Sequence, residues 1–271
     1  MKMRNEKNMD IGYRQWRPPS PRAVFLLVHG IGAHSGRWEA MADFFLLNGI
    51  ASYAIDLKDF DPHGVPDDSP NSFRDYSEKI LRLYDIASKE NPAKKVFLVG
   101  ESMGALVSFL FVCVRSDPFD GLICLSPAFA NRYKPALMDR LKMLACLVHD
   151  KKRRFKLPFD SSMCTRDDDY RRRLDQDPRE YRSIPAGEIF DILAAQFRAR
   201  FIKNKIGVPV LFLVAGDDTI VDPEAARKVF KGLAAADKTL VELPGMRHAL
   251  SIELGREKVF AEILKWTEKR V

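Results

Sequence analysis

The 271-residue chain holds no run of about 18 uncharged apolar residues, which argues against a membrane-spanning helix. Its first ten residues, Met1 to Asp10, are polar and lack the apolar centre of a secretory leader. The four cysteines, Cys113, Cys124, Cys146 and Cys164, show no paired spacing. Neither a disulfide framework nor a structural metal is therefore expected, and a reducing, cytoplasmic setting is. No internal repeat or low-complexity tract appears. The basic run Lys151-Lys152-Arg153-Arg154 has no interleaved aromatics and no recognised motif around it, so nucleic acid is not an expected partner.

What is present suits a soluble, globular protein: 46% hydrophobic residues, 30% charged, and enough length for one domain with a sizeable core or one domain with an insertion. The net charge of +7 is unevenly placed. Between Asn131 and Gly207 there are 19 Lys+Arg against 11 Asp+Glu, while the rest of the chain has 25 against 26. The basic excess thus belongs to one segment, and that shift marks a boundary.

Outside the segment, short apolar runs alternate with longer amphipathic ones. Ala23 to His29, Ile50 to Asp56, Lys95 to Val99, Gly121 to Ser126, Val208 to Val214 and Thr239 to Leu243 read as strands covered on both faces. Arg37 to Asn48, Phe73 to Lys89, Met103 to Val114, Pro223 to Ala235 and Arg256 to Arg270 read as helices, the fourth capped by Asp222 before a proline. Such alternation implies a doubly wound, mostly parallel sheet. Cys113 and Cys124 fall on a helix and a strand, as small buried residues. The basic segment breaks the pattern. Leu137, Leu141, Leu144 and Val148 recur at helical spacing, a helix is expected from Thr165 with Asp168 at capping-box distance, and another from Gly187 to Phe201. The division expected is a core of residues 1–126 and 208–271 with a helical cap inserted as 127–207.

Gly100-Glu101-Ser102-Met103-Gly104 joins an expected strand to an expected helix. A serine nucleophile on a sharp strand-to-helix turn needs small residues two positions either side, here Gly100 and Gly104. The hydroxyl also needs a general base, because it is barely nucleophilic until its proton is removed. His248 lies after the last expected strand and satisfies the chain order Ser…Asp…His. For the acid that orients it, Asp217, Asp218 and Asp222 all follow the strand ending at Val214. Asp222 reads as a helix cap; Asp218 is preferred, with Asp217 as its rival. Two backbone N–H groups must receive the developing oxyanion, and Met103 and Ile31 are the candidates. Ile31 stands in His29-Gly30-Ile31-Gly32, where Gly30 and Gly32 free the turn and His29 is expected to pin the loop by hydrogen bonding.

The stretch His29-Gly30-Ile31-Gly32-Ala33-His34-Ser35-Gly36-Arg37, together with Gly100-Glu101-Ser102-Met103-Gly104, closely resembles the monoacylglycerol lipase and lysophospholipase-like (serine aminopeptidase S33-type) branch of the α/β-hydrolases. Asn71 to Tyr76, Thr165-Arg166-Asp167 and Asp177-Pro178 are similar to its helix start and lid. The resemblance runs from about Tyr13 over nearly the whole chain. It implies an α/β-hydrolase fold with a helical cap and a Ser102, Asp218, His248 esterase with Ile31 and Met103 amides at the oxyanion. Its substrates would be monoacylglycerols, lysophospholipids or short acyl esters, with no cofactor or metal. Ala33 replaces a usual Glu, and Leu57-Lys58-Asp59-Phe60-Asp61-Pro62-His63-Gly64 replaces an Arg-Gly-His-Gly type turn, so the mouth of the site is expected to differ. The basic cap is expected to meet an anionic membrane surface peripherally, or to be simply solvated. A serine peptidase, an acyltransferase and a binding module on the same fold remain as alternatives. The oligomeric state has no signature.

Overall fold

Strands β2 (Ala23–Val28), β3 (Ile50–Ile55), β4 (Val96–Glu101), β5 (Gly121–Leu125) and β8 (Val210–Ala215) are buried at every position. That is why they read as unbroken apolar runs instead of alternating ones. The structure, a computed structural model, describes residues 11–60, 72–115, 117–133, 142, 145–146, 149–202 and 206–271. With β1 (Tyr13–Trp16) and β9 (Lys238–Leu243), the strands form one seven-stranded sheet in the order β1-β3-β2-β4-β5-β8-β9. All pairs are parallel except β1 with β3, in register from Tyr13↔Ile55 to Trp16↔Ser52. The sequence pattern does not mark β1, because Arg14 and Gln15 interrupt its apolar residues.

Alternate side chains of each strand feed two separate cores, as the two-residue period requires. Val24, Leu26, Leu98, Leu122 and Phe212 join one, with α2 (Phe73–Glu90), α3 (Met103–Val114) and α7 (Pro223–Lys231). Phe25, Leu27, Phe97, Ile123 and Leu211 join the other, with α1 (Glu39–Leu47) and α8 (Arg256–Glu268). Helix α3 is apolar all round, which suits its place between the sheet and a further helix. Ser72 caps α2 in a reciprocal capping box with Asp75, and Asp222 caps α7 by accepting from the Glu224 N–H. All four cysteines are free and buried.

Between β5 and β8 the chain leaves the alternation. It forms β6 (Arg154–Lys156), α4 (Ser161–Cys164), α5 (Asp168–Gln176), β7 (Ser183–Pro185) and α6 (Ala186–Ile202), with β6 and β7 paired antiparallel. The helix expected from Thr165 starts instead at Asp168, capped by Asp167. Thr165 is drawn elsewhere: its hydroxyl donates to the Ile252 carbonyl at 3.1 Å. The expected helix through Leu137, Leu141, Leu144 and Val148 lies outside the described residues, as do Asp61 to Asn71. Small residues set α6 against the core: Ala195 and Ala199 are buried, which lets its backbone lie close to α3.

Candidate active site

Ser102 occupies the turn between β4 and α3 with φ +58° and ψ −120°, a conformation that L residues adopt only when the surroundings enforce it. The surroundings here are tight. A Cβ on Gly104 would sit 2.1 Å from the Val28 carbonyl oxygen, and one on Gly100 would sit 2.5 Å from that of Gly104. Only hydrogens fit at either position, which is the physical content of the Gly-x-Ser-x-Gly pattern. Three backbone bonds hold the serine: its N–H donates to the Leu125 carbonyl, and its own carbonyl accepts from Leu106 and Ala128.

The loop after β8 brings Asp218 to the site, buried at 2% exposure, while Asp217 faces solvent. Asp218 Oδ1 accepts the Ile220 and Val221 N–H groups at 2.9 Å, and His248 Nδ1–H donates to Oδ2 at 2.7 Å. That donation leaves His248 Nε2 as the acceptor of the neutral ring. Burial works to lower the imidazole pKa, and the Asp218 carboxylate outweighs it, so the net shift is upward. Burial likewise opposes the Asp218 charge, but the imidazole and the two N–H donors hold its carboxyl below the usual carboxylate range. Ser102 and His248 line one small pocket of about 10 Å³, room for roughly one water molecule, together with Gly30, Ile31, Arg37 and Glu101.

On the other side of Ser102 opens a cavity of about 730 Å³, within the usual size range of small-ligand sites. Ile31, Ser102 and Met103 form its floor, and its walls include Leu157, Phe159, Ile184, Ile189 and Ile192. Lys156 and Arg200 also line it, both exposed, and no carboxylate does among the described lining residues.

The loop carrying Ile31 is held by His29. His29 Nδ1–H donates to the Gly30 carbonyl at 2.7 Å, and His29 Nε2 accepts the Leu57 N–H at 3.0 Å. Both bonds use the neutral ring, in keeping with a pKa that burial lowers to about 4. Gly32 has φ +77°, and a Cβ there would meet the Tyr181 carbonyl at 2.8 Å. Gly30 is less confined, since its φ is not positive and a Cβ would come within 3.1 Å of the Ser102 Cβ, a tight contact that a small shift relieves.

Several residues that the sequence does not single out complete the surroundings. Half-buried Arg37 donates to both carboxylate oxygens of Glu180, tying the loop after β2 to the segment between β5 and β8. Lys58, within the stretch that departs from the family turn, pairs with Glu188 of α6 at 3.0 Å, and both are 1% exposed. Glu188 also accepts from the Tyr76 hydroxyl. The signal for Lys58 and Glu188 is weak, because the partners are far apart in sequence. For Glu101 the signal is plain in retrospect: a carboxylate ends an otherwise apolar buried strand. Among the described residues no cluster of His, Cys, Asp and Glu is arranged to hold a metal ion.

The chain is similar to known proteins. Monoglyceride lipase of Homo sapiens is 29% identical over 95% of this chain and 86% of its own length. Phospholipase YtpA of Bacillus subtilis (strain 168) is 27% identical over 94% of this chain and 99% of its own. The crystal structure of Paleococcus ferrophilus monoacylglycerol lipase superposes with a TM-score of 0.83 at 25% identity, covering 97% of this chain and all of that one. The model of the family described as serine aminopeptidase, S33, matches residues 19–255. With its parallel sheet, its serine turn and that match, the chain belongs to the serine aminopeptidase S33 family of α/β-hydrolases.

Proposed function

We propose that the protein is a serine ester hydrolase acting on monoacylglycerols, lysophospholipids or related acyl esters, with Ser102, His248 and Asp218 as its triad. The observation that carries this is the buried Asp218–His248 pair beside Ser102, at the floor of a largely apolar cavity of about 730 Å³. Ser102 Oγ attacks the ester carbonyl while His248 Nε2 takes its proton. The Ile31 and Met103 N–H groups receive the oxyanion, and collapse expels the alcohol with the proton returned by His248. Water, deprotonated by the same imidazole, then attacks the acyl-enzyme and releases the acid. Asp218 orients His248 and stabilises the imidazolium.

The acyl chain lies in the apolar cavity, with residues 127–207 acting as a cap over the strand ends. An aminopeptidase must hold the substrate ammonium, and the lining residues described offer cations instead of a carboxylate. The named activities of the relatives, monoglyceride lipase and phospholipase, support the ester. The cap also meets an anionic lipid surface. Leu193, Phe197 and Phe201 stand exposed along one face of α6, beside exposed Arg198 and Arg200.

A panel of p-nitrophenyl esters, monoacylglycerols of graded chain length and aminoacyl anilides tests the substrate class. The esters should be cleaved with a preference for medium or long acyl chains. Preference for the anilides would overturn the proposal.

A further inference from the structure

Strand β4 ends on Glu101, immediately before Ser102, with only 4% of its surface exposed. A buried carboxylate is costly unless its oxygens are satisfied. Both oxygens here find the same residue. Oε1 accepts the Ser251 N–H at 2.9 Å and Oε2 accepts the Ser251 Oγ–H at 2.9 Å. Ser251 is fully buried and follows His248 by three residues, while 150 residues separate it from Glu101. The chemistry proposed above assigns neither of them a part.

We infer that Glu101 is a positioning residue: through Ser251 it locks the His248 loop to the nucleophile turn, and its carboxylate places a second negative charge beside the imidazole. This rests on the assignment of His248 as the base. Two bonds from one residue fix orientation as well as distance, so the strand that carries Ser102 and the loop that carries His248 move as one body. The same loop is tied on its other side, where the Ala249 N–H donates to the Cys164 carbonyl at 2.9 Å, and it is closed on itself by the Arg247 N–H donating to Glu253 at 3.0 Å.

The groups facing the imidazole are few. Asp218 comes from the loop after β8, Glu101 from β4, and Arg37 from the turn after β2, with Cys164 of α4 in the same pocket. Asp218 and Glu101 favour the imidazolium and Arg37 opposes it. Arg37 has Glu180 as its own carboxylate partner. Burial raises the Glu101 pKa, against the Ser251 bonds and the charges of His248 and Arg37. Glu101 therefore stabilises the imidazolium that forms as Ser102 loses its proton, in addition to holding the ring in place.

The test is the pH dependence of kcat and kcat/KM on a water-soluble p-nitrophenyl ester for wild type, Glu101→Gln, Ser251→Ala and His248→Ala. Glu101→Gln removes the charge, so the acid limb of kcat/KM should move down by about half a pH unit or more, with kcat lowered about tenfold. Ser251→Ala keeps the charge and loses one bond, so kcat should fall roughly three- to tenfold with KM unchanged. An acid limb that stays in place or moves upward in Glu101→Gln overturns the charge effect, and kcat within twofold of wild type in Ser251→Ala overturns the clamp. Should Glu101→Gln fail to fold, an NMR titration of the His248 ring in Glu101→Ala, which also removes the charge, and in wild type reads the same coupling: identical midpoints reject it. Turnover surviving in His248→Ala would instead reject the base assignment, which separates the two failures.

Discussion

Ser102 carries a backbone strain of roughly 1–3 kcal/mol, set by its φ of +58° and held by neighbours that leave no room for a Cβ at Gly100 or Gly104. Burial separates the two candidate acids. Asp218 accepts two backbone N–H groups and the imidazole, whereas Asp217 is exposed. Replacing Asp218 by Asn should lower kcat about 10³–10⁴-fold, since the ring loses its tautomer and its counter-charge. Asp217→Asn should stay within about twofold. The larger loss falling on Asp217 would reverse the assignment. Because the pair raises the His248 pKa above 6.5, the acid limb of kcat/KM should lie above pH 6.5 in wild type and move lower in Asp218→Asn. The same linkage shapes stability: the His248 contribution is full below pH 6.5 and lost as pH rises through its raised folded-state value. The contribution of Asp218 is present above pH 3.8 and lost as pH falls through its lowered one. At this scale the serine turn was legible because its steric demands are local. Ser251 was not, since its partner lies 150 residues away and nothing in a short window links them.

Elements follow the same division between local and distant causes. Strands buried on both faces and helices with caps such as Ser72 and Asp222 announce themselves in sequence. Edge strand β1 does not, and the α5 start shifted by three residues because Asp167 caps better than Thr165, whose hydroxyl serves the His248 loop instead. Helix α6 shows how an apolar stripe misleads. Its spacing through Ile189, Leu193 and Phe197 suits packing on a core, yet Ala195 and Ala199 face inward. Ile189 and Leu193 line the cavity, while the Phe197 and Phe201 rings pack at a tilt of 55° with centroids 4.9 Å apart and more than half of each exposed. An exposed aromatic pair beside arginines suits a lipid interface, where each cation adds about 1 kcal/mol near an anionic surface. The wild-type protein should co-sediment with phosphatidylserine vesicles at low salt and release as salt screens the charges. Phe197→Ser with Phe201→Ser should weaken this about tenfold while leaving turnover of a soluble ester unchanged. Absence of binding at low salt would end the membrane assignment.

At the scale of the whole molecule, one sheet with a core on each face holds the strand ends that present Ser102 and Asp218, and the segment between β5 and β8 supplies walls around them. The basic excess lies in that segment, so chemistry and charge are separated along the chain. No helix among the described residues is long and apolar enough to cross a membrane. Cross-links run between the two parts, Arg37 to Glu180 and buried Lys58 to Glu188, and the site is assembled where they meet. All of this converges on a single atom. Intact-mass and peptide mapping after treatment with a fluorophosphonate should find one adduct per chain, on the peptide containing Ser102, and none in Ser102→Ala. Absence of an adduct on wild type, or equal labelling of Ser102→Ala, would contradict the assignment of Ser102 as the nucleophile.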